Sequence, residues 1–143
     1  MSKQDIERLD DQGMSAWDSH DADEWVSLFS DDFILTDWTL PEPITTKEAA
    51  KQYFNTWLRA FPDMRVKQTS RVVGDDAVAG EIEFMGTNTG PMVMAGNEIP
   101  PTNKAVTGRG TYFASIRGGK VTEFNAHPDV AGMMMQLGFM PQM

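Results

Sequence analysis

The stretch Asn125-Ala126-His127-Pro128-Asp129 sets an imidazole and a carboxylate two residues apart. It closes a segment that reads as a strand. Alternation along a strand sends Glu123, Asn125, His127 and Asp129 to one face, unless Pro128 introduces a bulge. A carboxylate and an imidazole facing a pocket supply general acid–base chemistry, one taking a proton and the other returning it. A free aspartate titrates near 3.9 and is a weak base at neutral pH, so burial among apolar side chains would have to strengthen Asp129. The same residues also fit a plain polar turn, with Asp129 capping a helical turn over residues 130–136.

Other side chains could complete such a site. Asp37 stands in an otherwise apolar strand and is a possible second carboxylate. Arg109 suits an acidic or carbonyl group. Trp17, Trp25, Trp38, Tyr53 and Trp57 carry apolar faces with one polar tip, which suits a cavity wall, although aromatics at helical spacing are more often core. Phe113 and Asn125 join them as expected substrate contacts. The string Gly86-Thr87-Asn88-Thr89-Gly90-Pro91 is glycine-rich but lacks the lysine and the strand-to-helix setting of a phosphate loop. His20 falls at a helix boundary, where no special role is expected. The acid pairs Asp10-Asp11 and Asp31-Asp32 read as solvated surface.

Composition narrows the chemistry. The 143 residues contain no cysteine and two histidines. Disulfides, thiolate metal sites and cysteine nucleophiles are thereby excluded, and a multi-histidine metal site is not expected. Twelve Lys+Arg stand against 21 Asp+Glu, a formal charge of −9, which disfavours nucleic acid and anionic membranes as partners. The first residues are polar and acidic, unlike a signal peptide, and no apolar run suits a membrane span. A soluble cytoplasmic protein is the expectation. Neither a serine-hydrolase elbow nor a dinucleotide fingerprint is present, so no cofactor is indicated.

The elements that must position these residues follow from periodicity. Ile6, Leu9, Gly13, Ala16 and Trp17 share one helical face, and Trp25, Leu28 and Phe29 follow in a second helix capped by Asp21. Residues 33–38 read as a strand ended by Pro41 and Pro43. Ala50, Tyr53, Phe54, Trp57, Leu58 and Phe61 repeat at helical spacing behind a Thr45/Glu48 capping pattern, and Pro62 stops that helix. The period then changes from 3.6 to 2. Residues 64–73 and 78–85 alternate around a Gly74-Asp75-Asp76 turn. Residues 104–117 and 120–126 flank Gly118-Gly119. Residues 86–103 form a long loop or hide a short hairpin. Helices first and strands afterwards predict one α+β domain over residues 1–143, with a curved antiparallel sheet around the N-terminal helices and a pocket between the layers.

One resemblance spans nearly the whole chain in order. Phe61-Pro62-Asp63 follows the long helix. Gly86-Thr87-Asn88-Thr89-Gly90 comes next, then Ile99-Pro100-Pro101-Thr102 before the strand at residues 106–113. Gly119-Lys120-Val121-Thr122-Glu123 leads to Asp129 and Gln136-Leu137-Gly138. With this set the chain resembles the SnoaL-like polyketide cyclases, or ester cyclases, of the nuclear-transport-factor-2-like superfamily. The resemblance implies a cone-shaped α+β barrel with a deep pocket and cofactor-free chemistry. It further implies that the aspartate matching Asp129 acts as acid and base in an intramolecular aldol closure, assisted by a histidine for which His127 is the downstream candidate.

Three functions follow as expectations. The first is a cyclase or isomerase acting on a small apolar carbonyl compound, with Asp129 as base and His127 or Tyr53 steadying the enolate. The second is a dehydratase or epoxide hydrolase on the same scaffold, using Asp37 as a second carboxylate. The third is a binding module without catalysis. A homodimer or homotetramer is expected on family grounds, with Arg65, Lys67, Glu81 and Glu83 on an outer sheet face. The Met133-Met134-Met135 run and Met140 would cover the pocket mouth, an interface or the core.

Overall fold

The chain opens on a reciprocal cap. The Ser2 hydroxyl accepts from the Asp5 amide at 3.1 Å, and the Asp5 carboxylate accepts from the Ser2 amide at 3.0 Å. This starts α1 (Lys3–Asp18), whose buried face is Ile6, Leu9, Asp10, Gly13 and Ala16. His20 turns the chain with a positive φ of 64°, and its Nε2 lies 2.6 Å from the Met64 carbonyl. That contact ties the helical corner to the start of the sheet. Asp21 then caps α2 (Ala22–Ser27) through the Glu24 amide at 3.0 Å, as its position predicts. The computed structural model describes residues 1–94 and 96–140. Among them no helix is long and apolar enough to cross a membrane.

β1 (Phe29–Asp37) precedes α3 (Lys47–Ala60). The cap of α3 is Thr46, not Thr45. The Thr46 backbone is extended and sets its hydroxyl 3.2 Å from the Ala49 amide. Five further strands follow: β2 (Arg65–Val73), β3 (Ala77–Thr87), the short β4 (Met92–Met94) and β5 (Asn97–Ile99), and β6 (Ala105–Arg117). β7 (Lys120–Pro128) and α4 (Val130–Leu137) complete the chain. The long loop does hold a hairpin, β4 against β5.

The main sheet runs in the order β1-β7-β6-β3-β2. Three of its four pairings are antiparallel, as expected, but β1 lies parallel to β7, so the sheet is mixed, and it is open at β1 and β2. Periodicity carries no strand direction, and two strands this far apart in sequence are not held antiparallel by a hairpin. The sheet curves around α1 and α3. Phe29, Phe33, Phe54, Phe61, Ile6 and Leu35 are fully buried between the layers. Burial of this kind, at roughly 25 cal/mol per Å² of apolar surface, drives the layers together.

The inner face of the sheet decides where the site lies. Val106, Tyr112, Ala114 and Ile116 of β6 point inward and are buried, with Gly108 and Gly110 between them. On β7 the residues that meet the interior are Val121, Phe124, Ala126 and Pro128. α4 is held across the end of β6 by Gln136. Its side-chain amide accepts from the Thr107 N–H at 2.8 Å and donates to the Thr107 carbonyl at 2.9 Å.

Candidate active site

A cavity of about 110 Å³ lies between the helices and the inner sheet face. α1 contributes Met14 and Trp17, and α3 contributes Tyr53 and Trp57. The sheet contributes Val66, Ile82, Phe84, Gly108, Tyr112, Phe124 and Ala126, and α4 closes it with Val130 and Met133. The rings hold one another in place. Tyr112 and Phe124 stack at 5.3 Å with planes 5° apart, and Trp17 stacks on Phe54 at 4.0 Å.

Asp129 is the one carboxylate among the lining residues. It caps α4, with Oδ1 accepting from the Gly132 amide at 2.9 Å. A Cβ on residue 132 would stand 2.9 Å from the Asp129 Cγ, so glycine there lets the carboxylate close on the Gly132 amide. The Asp129 amide donates to the Arg109 carbonyl at 2.8 Å and fixes the turn to β6. Asp129 Oδ2 has no hydrogen-bond partner among the described residues. Burial of Asp129 among Trp and Met side chains does not occur. It is exposed and lines both the cavity and a groove on the outer sheet face. A helix cap must sit at an element boundary, and this boundary is the cavity rim.

The face expected to aim at the pocket points the other way. Glu123, Asn125 and His127 do share a face of β7, but it is the outer one. Phe124, Ala126 and Pro128 take the cavity side. His127 is exposed, lines the outer groove and stacks on Trp38 at 6.1 Å. Trp38 is 66% exposed and Phe113 45%, both away from the cavity lining, as is Asn125, the β-ladder partner of Phe113. Arg109 borders the cavity but occupies an outward position on β6, opposite Glu83, and forms no ion pair among the described residues.

The profile of the SnoaL-like polyketide cyclases matches residues 7–137. This chain belongs to that family. Among solved structures, the SnoaL-like chain is similar to AclR of Streptomyces galilaeus, a hydroxylase candidate. The identity is 21%, with 99% of this chain and 86% of that one covered, at a TM-score of 0.84. It is similar to IdmH of Streptomyces antibioticus, a polyketide cyclase candidate, at 22% identity over 92% and 97% of the two chains, TM-score 0.75. A third is a protein of ketosteroid isomerase-like fold from Catenulispora acidiphila, in complex with trimethylamine. Its identity is 15%, with 92% and 93% covered and a TM-score of 0.76. These likenesses show the fold. No curated protein matches the chain.

Two buried carboxylates complete the polar architecture of this SnoaL-like domain. Asp37, 2% exposed, accepts from the Tyr53 hydroxyl at 2.6 Å, the Thr39 hydroxyl at 2.6 Å and the Thr39 amide at 2.8 Å. It is not among the cavity-lining residues. Burial, the Asp37 charge and this hydrogen bond together hold the Tyr53 phenol well above its ordinary pKa. The Tyr53 ring serves the cavity while its hydroxyl proton is committed to Asp37.

Asp10 does not lie on the solvated surface. It is 7% exposed and accepts from Tyr112 at 2.5 Å, Gln68 at 2.8 Å and Arg71 at 3.1 Å. Burial first, and then the bond to Asp10, raise the Tyr112 phenol. Asn88, 0% exposed, is a third buried group. Its amide donates to the Ala60 and Gly90 carbonyls, and its oxygen accepts from the amide and hydroxyl of Thr102. The glycine-rich string is thus a structural knot. Sequence reasoning missed Met14, Ile82, Phe84, Tyr112, Phe124 and Gly108 as lining residues. For the strand residues the alternation held the signal, since they belong to the inward set; Met14 lies on α1, one helical turn before Trp17. No group of three or more His, Asp or Glu is placed to hold a metal among the described residues.

Proposed function

We propose that this protein is a cofactor-free acid–base enzyme acting on a small apolar carbonyl compound, of the polyketide cyclase type. The observation that carries this reading is Asp129, the single carboxylate on the rim of an aromatic cavity, with one oxygen unengaged. The apolar part of a substrate enters the cavity and its carbonyl stays at the rim. Asp129 takes a proton from the carbon alpha to that carbonyl. The resulting enolate carbon attacks a second carbonyl of the same molecule, a carbon–carbon bond forms, and the proton passes to the new alkoxide. Anchoring the apolar part in the cavity holds both reacting carbons together at the rim, beside Asp129. Substrate at the rim also excludes water from Asp129, which strengthens it as a base. His127 shares the outer groove with Asp129 and assists from that side. Asp37, already bonded to three donors, supports single-base chemistry over a two-carboxylate hydrolase.

The test is exchange of alpha protons of propiophenone in heavy water, followed by NMR. Asp129→Asn keeps a capping side chain, so the fold stays intact by circular dichroism. The exchange rate is expected to fall about 10²–10⁴-fold, the usual worth of a general base. Exchange at the wild-type rate in this variant would sink the assignment.

A second reading is a binding module for a small methylated amine. Six aromatic rings and one carboxylate suit a cation held by ring faces, and trimethylamine is the molecule in the Catenulispora structure. Calorimetric binding of tetramethylammonium, lost in Asp129→Asn, together with no alpha-proton exchange, would favour it. In either reading we place a second copy of the chain on the outer sheet face as a homodimer.

A further inference from the structure

We infer that Gly108 sets the capacity of the cavity, and that the buried end of the ligand is a single six-membered carbocycle without polar substituents. The inference rests on the cavity being the ligand site. On β6 the inward positions run Val106, Gly108, Gly110, Tyr112. Two adjacent inward positions therefore lack side chains, and they lack them for different reasons. A Cβ on residue 110 would stand 3.3 Å from the Pro128 Cα and 3.4 Å from the His127 carbonyl. Glycine there lets β7 approach. The atoms nearest to a Cβ on residue 108 would be Phe84 Cδ1 and Val106 Cγ1, each at 3.9 Å, and Phe84 Cβ at 4.0 Å, all ordinary contact. Its φ does not lie in the left-handed region that favours glycine.

Neither crowding nor backbone conformation calls for glycine at position 108, and a glycine inside a strand weakens it. What it supplies is space. A side chain here would project past Phe84 and Val106 into the volume of about 110 Å³ that Gly108 lines. For scale, an apolar cavity of about 150 Å³ accepts benzene. One six-membered ring is therefore the most this space takes, and two fused rings exceed it. The walls are ring faces, methyl groups and thioethers, so a hydroxyl or carbonyl on the buried ring would go unpaired. The polar end of the molecule lies at the border, where Asp129, Arg109 and Thr111 stand.

Toluene and naphthalene are the probes, read on the methyl groups of Met14 and Met133 by NMR of carbon-13-labelled protein. Both residues line the cavity, and their resonances are assigned by Met14→Leu and Met133→Leu. Toluene is expected to shift both saturably and naphthalene neither. Gly108→Ala adds one methyl group and weakens toluene about tenfold. Gly108→Leu abolishes the shifts without lowering Tm, whereas Gly110→Ala lowers Tm. Naphthalene binding as well as toluene, or toluene binding unchanged in Gly108→Ala, overturns the inference. No toluene binding to the wild type overturns it too, while leaving the Asp129 chemistry standing. Conversely, toluene binding as expected with Asp129→Asn fully active would remove the function and keep the cavity limit.

Discussion

The Tyr53 hydroxyl donates to Asp37 Oδ2 at 2.6 Å, while the amide and hydroxyl of Thr39 occupy Oδ1. A carboxylate with three donors and 2% exposure is an anchor for its neighbours. It fixes the Tyr53 ring as cavity wall and ties α3 to the end of β1.

Tyr53→Phe keeps the wall and removes one donor from a buried charge. A group left short of a partner in this way costs about 1–3 kcal/mol. Urea unfolding should show that loss, with toluene affinity close to wild type. If instead Asp37→Asn stopped alpha-proton exchange while stability held, Asp37 would be the base and the architecture reading would fail.

Tyr53 and Tyr112 are the only tyrosines in the chain, and burial is the leading cause that raises both phenols. Their neutral forms are favoured in the folded state. Unfolded tyrosine titrates near 10, so the stability from both is whole below about pH 10 and is lost as pH climbs towards the folded values. Phenolate absorbance should be nearly absent from the native protein at the pH where the urea-unfolded chain is half titrated. A tyrosine ionising at its ordinary pH in the native protein would contradict the burial described for it.

The sequence exposes some of this architecture and hides the rest for physical reasons. α3 is legible because Ala50, Tyr53, Phe54, Trp57 and Leu58 repeat on a helical face. The switch to alternation after Pro62 announces the strands. Asp10 is hidden because its partners Gln68, Arg71 and Tyr112 lie 58, 61 and 102 residues away. No local pattern separates such an acid from a solvated one. On β7 alternation groups Glu123, Asn125 and His127 but cannot say which side is inside, and a one-residue slip exchanges the faces. Both readings of Asp129, cap and rim carboxylate, meet in one residue.

Gly80 shows how closely the cavity floor is fitted. A Cβ there would stand 2.6 Å from Tyr112 Cε1 and 2.7 Å from its hydroxyl oxygen. The ring cannot swing clear, since Asp10 and Gln68 hold its hydroxyl. Gly80→Ala should cost about 1–3 kcal/mol, as overpacking does. The cost should shrink in a Tyr112→Leu background, because residues in contact are coupled. Equal losses in both backgrounds would show that the ring is not what forbids a side chain.

The outer sheet face carries the remaining prediction. One register row crosses it as Thr36, Asn125, Phe113, Ala79 and Val72. Phe113 is 45% and Val72 74% exposed, and Ile34, on the same face of edge strand β1, is also exposed. The parallel row Lys67, Glu83, Arg109 alternates in sign. A two-fold axis would present this face to its own copy, the Phe113, Ala79 and Val72 segment against its equivalent with opposite charges alongside. A two-fold contact counts every substitution twice. Phe113→Lys therefore sets two like charges into one interface and should shift sedimentation velocity from dimer to monomer, while alpha-proton exchange continues. A wild-type protein that sediments as a monomer would overturn the homodimer, and a Phe113→Lys variant that remains dimeric would place the contact elsewhere.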